Sequence, residues 1–495
     1  MLSQVAQICL KPDMLLLVLI GVVVGNVFGC VPGLNAPIAI ALALPVTFIM
    51  NTYQSMALIM GLYMGCVSGG LVSAILLRVP GTAANVATCF DGYPMAQQGR
   101  ATEALSIGSF ASLFGGIFSS FCLLVFAPLL ANIALAFGPW EFFGTAMLSL
   151  VLVCCMSNGK VIKGFIAVCV GLLLKSVGLS PVDGVALRYT FGSISLESGF
   201  NQIVIIIAVF ALPEIFSAMQ SLKEQGKLTE VKKRHFPSWR SIKQNTGIML
   251  MNSIIGTLIG ILPGMGGGTA SLVSYEQTKK FSKHPEKFGT GCEEGIYCCE
   301  SANNATTGGA LIPLLALGVP GDTASAVIMG ALMLQGLTPG PLLSMNEPVL
   351  FRSILFIVFL ANIFMWLFQA STIRYMAKIT LVPKAILFPV VSFFCILGTI
   401  AIRSNPFDLA YLLVMGIVGY IFSKNGYPLS PFILAFILGE MIESNLRRAI
   451  TYYGNLQTCM IQPSIGTVFF YMAIALPVLV AIVHSIKRRK NTIVI

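Results

Sequence analysis

The chain alternates long apolar runs with short polar breaks, and the spacing of those breaks carries most of its information. Apolar runs cover about residues 14–31, 36–50, 55–77, 104–137, 140–156, 161–179 and 202–219. They resume at about 248–262, 302–319, 324–334, 349–369, 385–402, 409–422, 432–442 and 467–486. Crossing a hydrocarbon core of roughly 30 Å takes about 20 helical residues, so the pattern predicts an all-α polytopic membrane protein with about ten to fourteen spans. Several runs are too short to cross alone. Residues 104–137 fit either one long span or two short ones. The first run follows Lys11 and meets Pro32 without a small-residue cleavage site, so it reads as a retained span rather than a signal peptide.

Two of the breaks recur. Gly25-x-x-x-Gly29-Cys30-Val31-Pro32-Gly33 returns as Gly256-x-x-x-Gly260-Ile261-Leu262-Pro263-Gly264, 231 residues later. Ser68-Gly69-Gly70 returns as Thr307-Gly308-Gly309, and Val79-Pro80-Gly81-Thr82 as Val319-Pro320-Gly321-Asp322-Thr323, at offsets of 239 and 240. Landmarks kept in order and in register predict two sequence-related halves, residues 1–219 and 246–495, each with Pro-Gly-broken helices and a re-entrant hairpin. Proline removes a backbone donor and glycine admits unusual dihedrals, so a helix must break there. Broken backbone at membrane depth is tolerable only where protein or a watery cavity covers it. Duplicated interruptions are therefore the sequence pointer to a transporter binding site. The GxxxG runs have a simpler reading as helix-packing surfaces.

Composition agrees with a membrane protein. Of 495 residues 56% are hydrophobic and 10% charged, against about 25% charged in soluble domains. Net charge is +11. Lys223, Lys227, Lys232, Lys233, Arg234, Arg240 and Lys243 outnumber Glu224 and Glu230 in a linker over residues 220–245. Lys487, Arg488, Arg489 and Lys490 form a basic tail. The positive-inside rule puts both clusters in the cytoplasm. Because both flank apolar spans, they do not suggest nucleic-acid binding. The 13 cysteines include no CxxC spacing and sit mostly in apolar runs, as small hydrophobes do.

The breaks are rich in helix-capping residues: Thr82 and Asn85 after the first, Asp322, Thr323 and Ser325 after the second. Each break is expected to open a helix whose first N–H groups face it, and such an N-terminus carries about +0.5 charge and attracts anions. Two of them do not neutralise a solute of charge −2 or −3, so a co-transported cation or a basic side chain is needed. Arg78 is the one cation at a break, either touching substrate or gating, or else lying at the interface with its charge in water. Asp322 either caps its own helix or coordinates a cation with nearby carbonyls. Asn303 and Asn304 can each donate to a carboxylate and accept from a cation. Neighbouring Glu293 and Glu294 read as a solvated loop, Lys175, Arg188, Glu197 and Glu214 as interfacial, and Glu443 with Arg447 as an i,i+4 pair. The expected substrate-binding set is Pro32, Gly33, Asn35, Arg78, Gly81, Thr82, Asn85, Gly264, Asn303, Asn304, Gly321, Thr323 and Ser325, with Asp322 and Asn304 for a cation. No catalytic residue is expected. His235, His284 and His484 are the only histidines, and no HExxH, GxSxG or DDxxD pattern is present, which disfavours an intramembrane enzyme. A passive anion channel is the other alternative.

Taken together these residues resemble the large membrane subunit of the tripartite tricarboxylate transporter family, TctA. The matching stretches include Pro32-Gly33-Leu34, Pro80-Gly81-Thr82-Ala83, Asp91-Gly92-Tyr93-Pro94-Met95-Ala96, Pro263-Gly264-Met265-Gly266-Gly267, Glu300-Ser301-Ala302-Asn303-Asn304-Ala305 and Gly336-Leu337-Thr338-Pro339-Gly340-Pro341. Asn35, Arg78 and Cys298-Cys299 depart from the usual pattern. The resemblance implies a multi-pass permease of the bacterial inner membrane that works with a small membrane subunit of about four spans and a periplasmic solute-binding protein delivering a carboxylate. It implies drive by a Na+ or H+ gradient and no other cofactor or metal. The absence of a GxxxxGK[ST] phosphate loop agrees.

Overall fold

The computed structural model describes residues 1–157, 160–220, 236–380, 382, 384–403 and 405–493. Lys223, Lys227, Lys232, Lys233 and Arg234 of the basic linker lie outside the described residues. The N-terminal part forms α1 (Leu2–Cys9), α2 (Pro12–Cys30), α3 (Ala36–Thr47), α4 (Thr52–Gly69), α5 (Leu71–Leu77), α6 (Thr88–Met95), α7 (Ala101–Ala134), α8 (Pro139–Cys155), α9 (Val161–Lys175), α10 (Ile194–Glu197) and α11 (Gln202–Gln220). The C-terminal part forms α12 (Trp239–Ile261), α13 (Gly266–Phe281), α14 (Glu293–Leu317), α15 (Thr323–Leu334), α16 (Pro341–Asn346), α17 (Pro348–Ile379), α18 (Lys384–Arg403), α19 (Pro406–Lys424), α20 (Leu429–Tyr453), α21 (Leu456–Ile461) and α22 (Ile465–Ile493). The one sheet among the described residues is a small hairpin pairing Gly178 with Arg188.

The protein is an all-α polytopic membrane protein. Seven helical stretches among the described residues are long and apolar enough to cross a bilayer, fewer than the hydrophobic pattern alone predicts. The difference lies in shorter apolar helices such as α3, α8 and α15. Residues 104–134 of this run fall in one helix, α7, of 34 residues. By contrast α3 and α15 have 12 residues each, or about 18 Å of helix, well short of a bilayer. These two short helices pack against each other.

Small residues set the closest helix contacts. A Cβ at Gly25 would lie 2.4 Å from the Leu62 carbonyl oxygen of α4, and one at Gly256 would lie 2.2 Å from the Ala302 carbonyl oxygen of α14. The GxxxG runs thus let backbones touch, the simpler of the two readings open to them. Gly25→Ala is expected to destabilise by about 1–3 kcal/mol, because backbone cannot yield as a side chain does. Gly247→Ala, in the interior of α12 with open space around it, is expected to stabilise by up to about 1 kcal/mol. Thermal unfolding of both variants in detergent checks the opposite signs.

The two long helices α7 and α17 tie the parts together. From the N-terminal part α7 packs along α14 and α12, while α17 from the C-terminal part packs along α4 and α2. Buried amides fix the crossings. Gln369 Nε2 donates to Asn26 Oδ1 (2.8 Å) and Ser68 Oγ (3.0 Å), and Asn362 Nδ2 donates to Ser120 Oγ (3.2 Å). Such bonds are worth about 0.6–2 kcal/mol each between membrane helices.

Candidate functional site

The four sequence breaks end four helices in paired ways. Gly33 (φ 95°) turns the chain after α2, and Gly264 (φ 79°) turns it after α12. Past the first turn Asn35 caps α3 by accepting the Ile38 N–H at 3.2 Å. Past the second, α13 starts in a run of glycines without a side-chain cap. The left-handed residues closing α5 and α14 are Arg78 (φ 59°) and Gly318 (φ 72°). Beyond them Gly81 presses on Gly29 and Gly70, and Gly321 on Gly260 and Ala310. The Gly264 N–H donates to the Gly321 carbonyl at 2.7 Å, joining two breaks directly.

The helices after the second pair of breaks differ from one another. Asp322 caps α15: its Oδ1 accepts the Ser325 N–H at 2.7 Å, and Ser325 Oγ accepts the Asp322 N–H at 2.8 Å. Its Oδ2 accepts the Tyr63 hydroxyl at 2.8 Å. After Thr82, however, only a three-residue turn forms, Ala83–Asn85, before α6 starts at Thr88. The helix expected to open at Pro80-Gly81 is thus only this short turn, and Asn85 is engaged elsewhere. Its Nδ2 donates to Glu300 at 3.0 Å, and its Oδ1 accepts the Thr82 hydroxyl at 2.7 Å.

These elements enclose a cavity of about 590 Å³. Of the residues expected from sequence, Asn35, Thr82, Gly264, Asn303, Asp322 and Thr323 line it, together with Tyr63, Gly266, Gly267, Thr269 and Thr306. Among the described lining residues Asp322 is the one acid, and there is no Lys, Arg or His. The others stand behind this surface. Pro32, Gly33, Gly81 and Gly321 shape the turns, Ser325 holds Asp322, and Asn85 and Asn304 are buried beside Glu300. Asn303 Oδ1 and Asn304 Oδ1 are both buried without a hydrogen-bond partner.

Arg78 is outside the cavity. Its side chain is exposed, and its guanidinium sits 5.8 Å from the centroid of the Tyr93 ring. It closes α5 in left-handed backbone and is not among the residues that line the cavity. That backbone costs a non-glycine residue about 1–2 kcal/mol, and the cation–π contact returns about 0.5–1 kcal/mol. Arg78→Gly is therefore expected to gain roughly 0.5–1 kcal/mol in thermal unfolding, with no loss of transport.

Two residues absent from the expected set matter here. Tyr63 reaches Asp322 across 259 positions of sequence, and Glu300 is fully buried against Asn85, Thr88 and Ser112. An acid one turn before Asn303 and Asn304, in a run leading into an apolar helix, was the available signal for Glu300. Away from the cavity, Glu443 and Arg447 pair at 3.0 Å with Arg188 on the same carboxylate, and Lys175 pairs with Glu440 at 3.0 Å. Glu293 is not a free loop residue: it opens α14 and binds Arg100 (3.0 Å) and Ser241 (2.6 Å).

Comparison with known proteins decides the family. Residues 15–434 match the Tripartite tricarboxylate transporter TctA family. The chain belongs to the TctA family. TctA membership makes it a component of a tripartite tricarboxylate transporter and points to transport rather than catalysis. It is similar to the "Uncharacterized 52.8 kDa protein in TAR-I ttuC' 3'region" of Agrobacterium vitis, with 35% identity over 497 residues, covering 99% of this chain and 98% of the relative. The "Uncharacterized protein in TAR-II ttuC' 3'region" of the same organism is 35% identical over 238 residues, 48% of this chain and 98% of its own length. No solved structure matches this TctA chain.

Proposed function

We propose that this TctA protein is the permease subunit of an ion-gradient-driven secondary transporter that imports tricarboxylates or related organic acids. In this reading it sits in the bacterial inner membrane with a small membrane subunit of about four spans. A periplasmic solute-binding protein delivers the substrate. Residues 1–219 and 246–495 are its two related halves, joined by the basic linker over 220–245.

The observation that carries the reading is the convergence of the breaks near Asn35, Thr82, Gly264 and Asp322 on one cavity. The α15 N-terminus is occupied by its own Asp322, so a substrate carboxylate is better served by α13, whose glycine-rich start has no side-chain cap. Asn303 and the Thr82 and Thr323 hydroxyls supply further hydrogen bonds from neighbouring walls. One helix N-terminus offers about half a positive charge, the lining has no basic side chain, and Asp322 adds a negative one. A multiply charged carboxylate then enters only with cations, which is the electrostatic basis for symport with Na+ or H+. Asp322 and the free carboxamide oxygen of Asn304 are the oxygen donors proposed for such a cation.

Uptake of radiolabelled citrate, tartrate and related acids into vesicles holding the full chain with its small subunit and binding protein tests this. Saturable accumulation is expected only under an imposed Na+ or H+ gradient. Equilibration without saturation would mean a channel, and no uptake of any carboxylate under either gradient would end the proposal.

A further inference from the structure

Glu300 lies on α14 one turn before Asn304, with no exposed surface. Three elements converge on its carboxylate. Oε1 accepts from Asn85 Nδ2 at 3.0 Å and from the Thr88 hydroxyl, and Oε2 accepts from the Ser112 hydroxyl of α7 at 3.1 Å. All the charged partners found for acids among the described residues belong to other carboxylates: Arg100, Lys175, Arg188, His284 and Arg447 pair elsewhere. Cys299 precedes Glu300 on α14 and Cys89 follows Thr88 on α6, and both thiols are buried. From α7 it meets Ser112 and Gly108.

A buried carboxylate without a cation inside a membrane protein is too costly to stand unneutralised. Asn304 spends its Nδ2 on the Glu300 carbonyl at 3.2 Å, leaving its Oδ1 free, and on Asn303 both Oδ1 and Nδ2 are without a partner. Two unsatisfied carboxamide oxygens within a turn of a buried carboxylate are what a bound positive charge would satisfy.

We propose that Glu300 is a cation site, holding one proton or one sodium ion with the Asn303 and Asn304 oxygens; this deepens the transport reading and rests on it for its role in coupling. The connection to the cavity is short. Asn303 lines the cavity, and the Thr82 hydroxyl on its wall donates to the same Asn85 that donates to Glu300. Charge at Glu300 therefore sets the hydrogen bonding available to a substrate at Thr82 and Asn303.

Glu300→Gln tests the site, since the amide keeps the volume and removes the charge. Two readouts on purified full-length protein need no transport. If sodium is the ion, NaCl in place of choline chloride at equal ionic strength raises the melting temperature of the wild type, as linkage requires, and the shift vanishes in Glu300→Gln. If a proton is the ion, the infrared band of a protonated carboxylic acid is present in the wild type and lost in Glu300→Gln. In vesicles the variant is expected to accumulate citrate about tenfold less, or lower still, under the matching gradient. A variant that keeps whichever of the two signals the wild type shows, or a wild type with neither, overturns the site. A wild type that shows either signal but transports no carboxylate refutes the transport reading and leaves the cation site standing.

Discussion

Gly321→Ala and Gly81→Ala are each expected to reduce carboxylate uptake by about two orders of magnitude, through overpacking at the upper end of its usual 1–3 kcal/mol range. A Cβ at Gly321 would lie 2.5 Å from the Gly260 carbonyl oxygen and 2.6 Å from Ala310 Cα. One at Gly81 would lie 2.1 Å from the Gly29 carbonyl oxygen and 2.6 Å from Gly70 Cα. Each clash is with backbone of a tightly packed helix, so relief has to come from moving the break itself. At Gly321 that motion reaches the site directly, because its carbonyl accepts the Gly264 N–H that starts the turn into α13. Uptake assays beside thermal unfolding separate the two consequences: the melting temperature falls by several degrees while uptake collapses. Uptake within twofold of wild type in Gly321→Ala would show that the close approach has no bearing on transport.

The sequence was most legible where local backbone chemistry dictates geometry. Proline and glycine force a helix to stop regardless of what surrounds it, so the breaks at Pro32-Gly33, Pro80-Gly81, Pro263-Gly264 and Pro320-Gly321 were readable from the chain alone. Asp322 was readable as a cap for the same reason, its partner Ser325 being three residues away. Glu300 and Tyr63 were not, because their partners lie 188 to 259 residues distant and only tertiary packing brings them together. Helix lengths fell between these cases. Hydropathy could not tell that residues 104–134 lie in one continuous helix, since no local signal distinguishes one long helix from a tight hairpin between two short ones. Arg78 was legible only as a choice between the site and the interface, and the left-handed cap it forms at the end of α5 left no mark in composition or periodicity.

Asp322→Asn is expected to leave the fold nearly intact and to remove most transport. Asparagine caps helices about as well as aspartate, so it can still accept the Ser325 N–H and, at its other position, meet the Tyr63 hydroxyl. The loss of stability should stay within about 1 kcal/mol. What disappears is the one acid among the described cavity-lining residues, and with it any negative charge there. If that charge attracts the cation that enters with an anionic substrate, uptake falls roughly a hundredfold at physiological Na+ or H+ and recovers partly as the cation is raised, because affinity rather than architecture has been lost. Asp322→Ala adds a structural penalty of about 0.5–2 kcal/mol from the missing cap, and raising the cation should not reverse that part. Equal uptake by Asp322→Asn and wild type at every cation concentration would reduce Asp322 to a helix cap, and recruitment of the cation would then fall on Glu300, behind the cavity wall, alone.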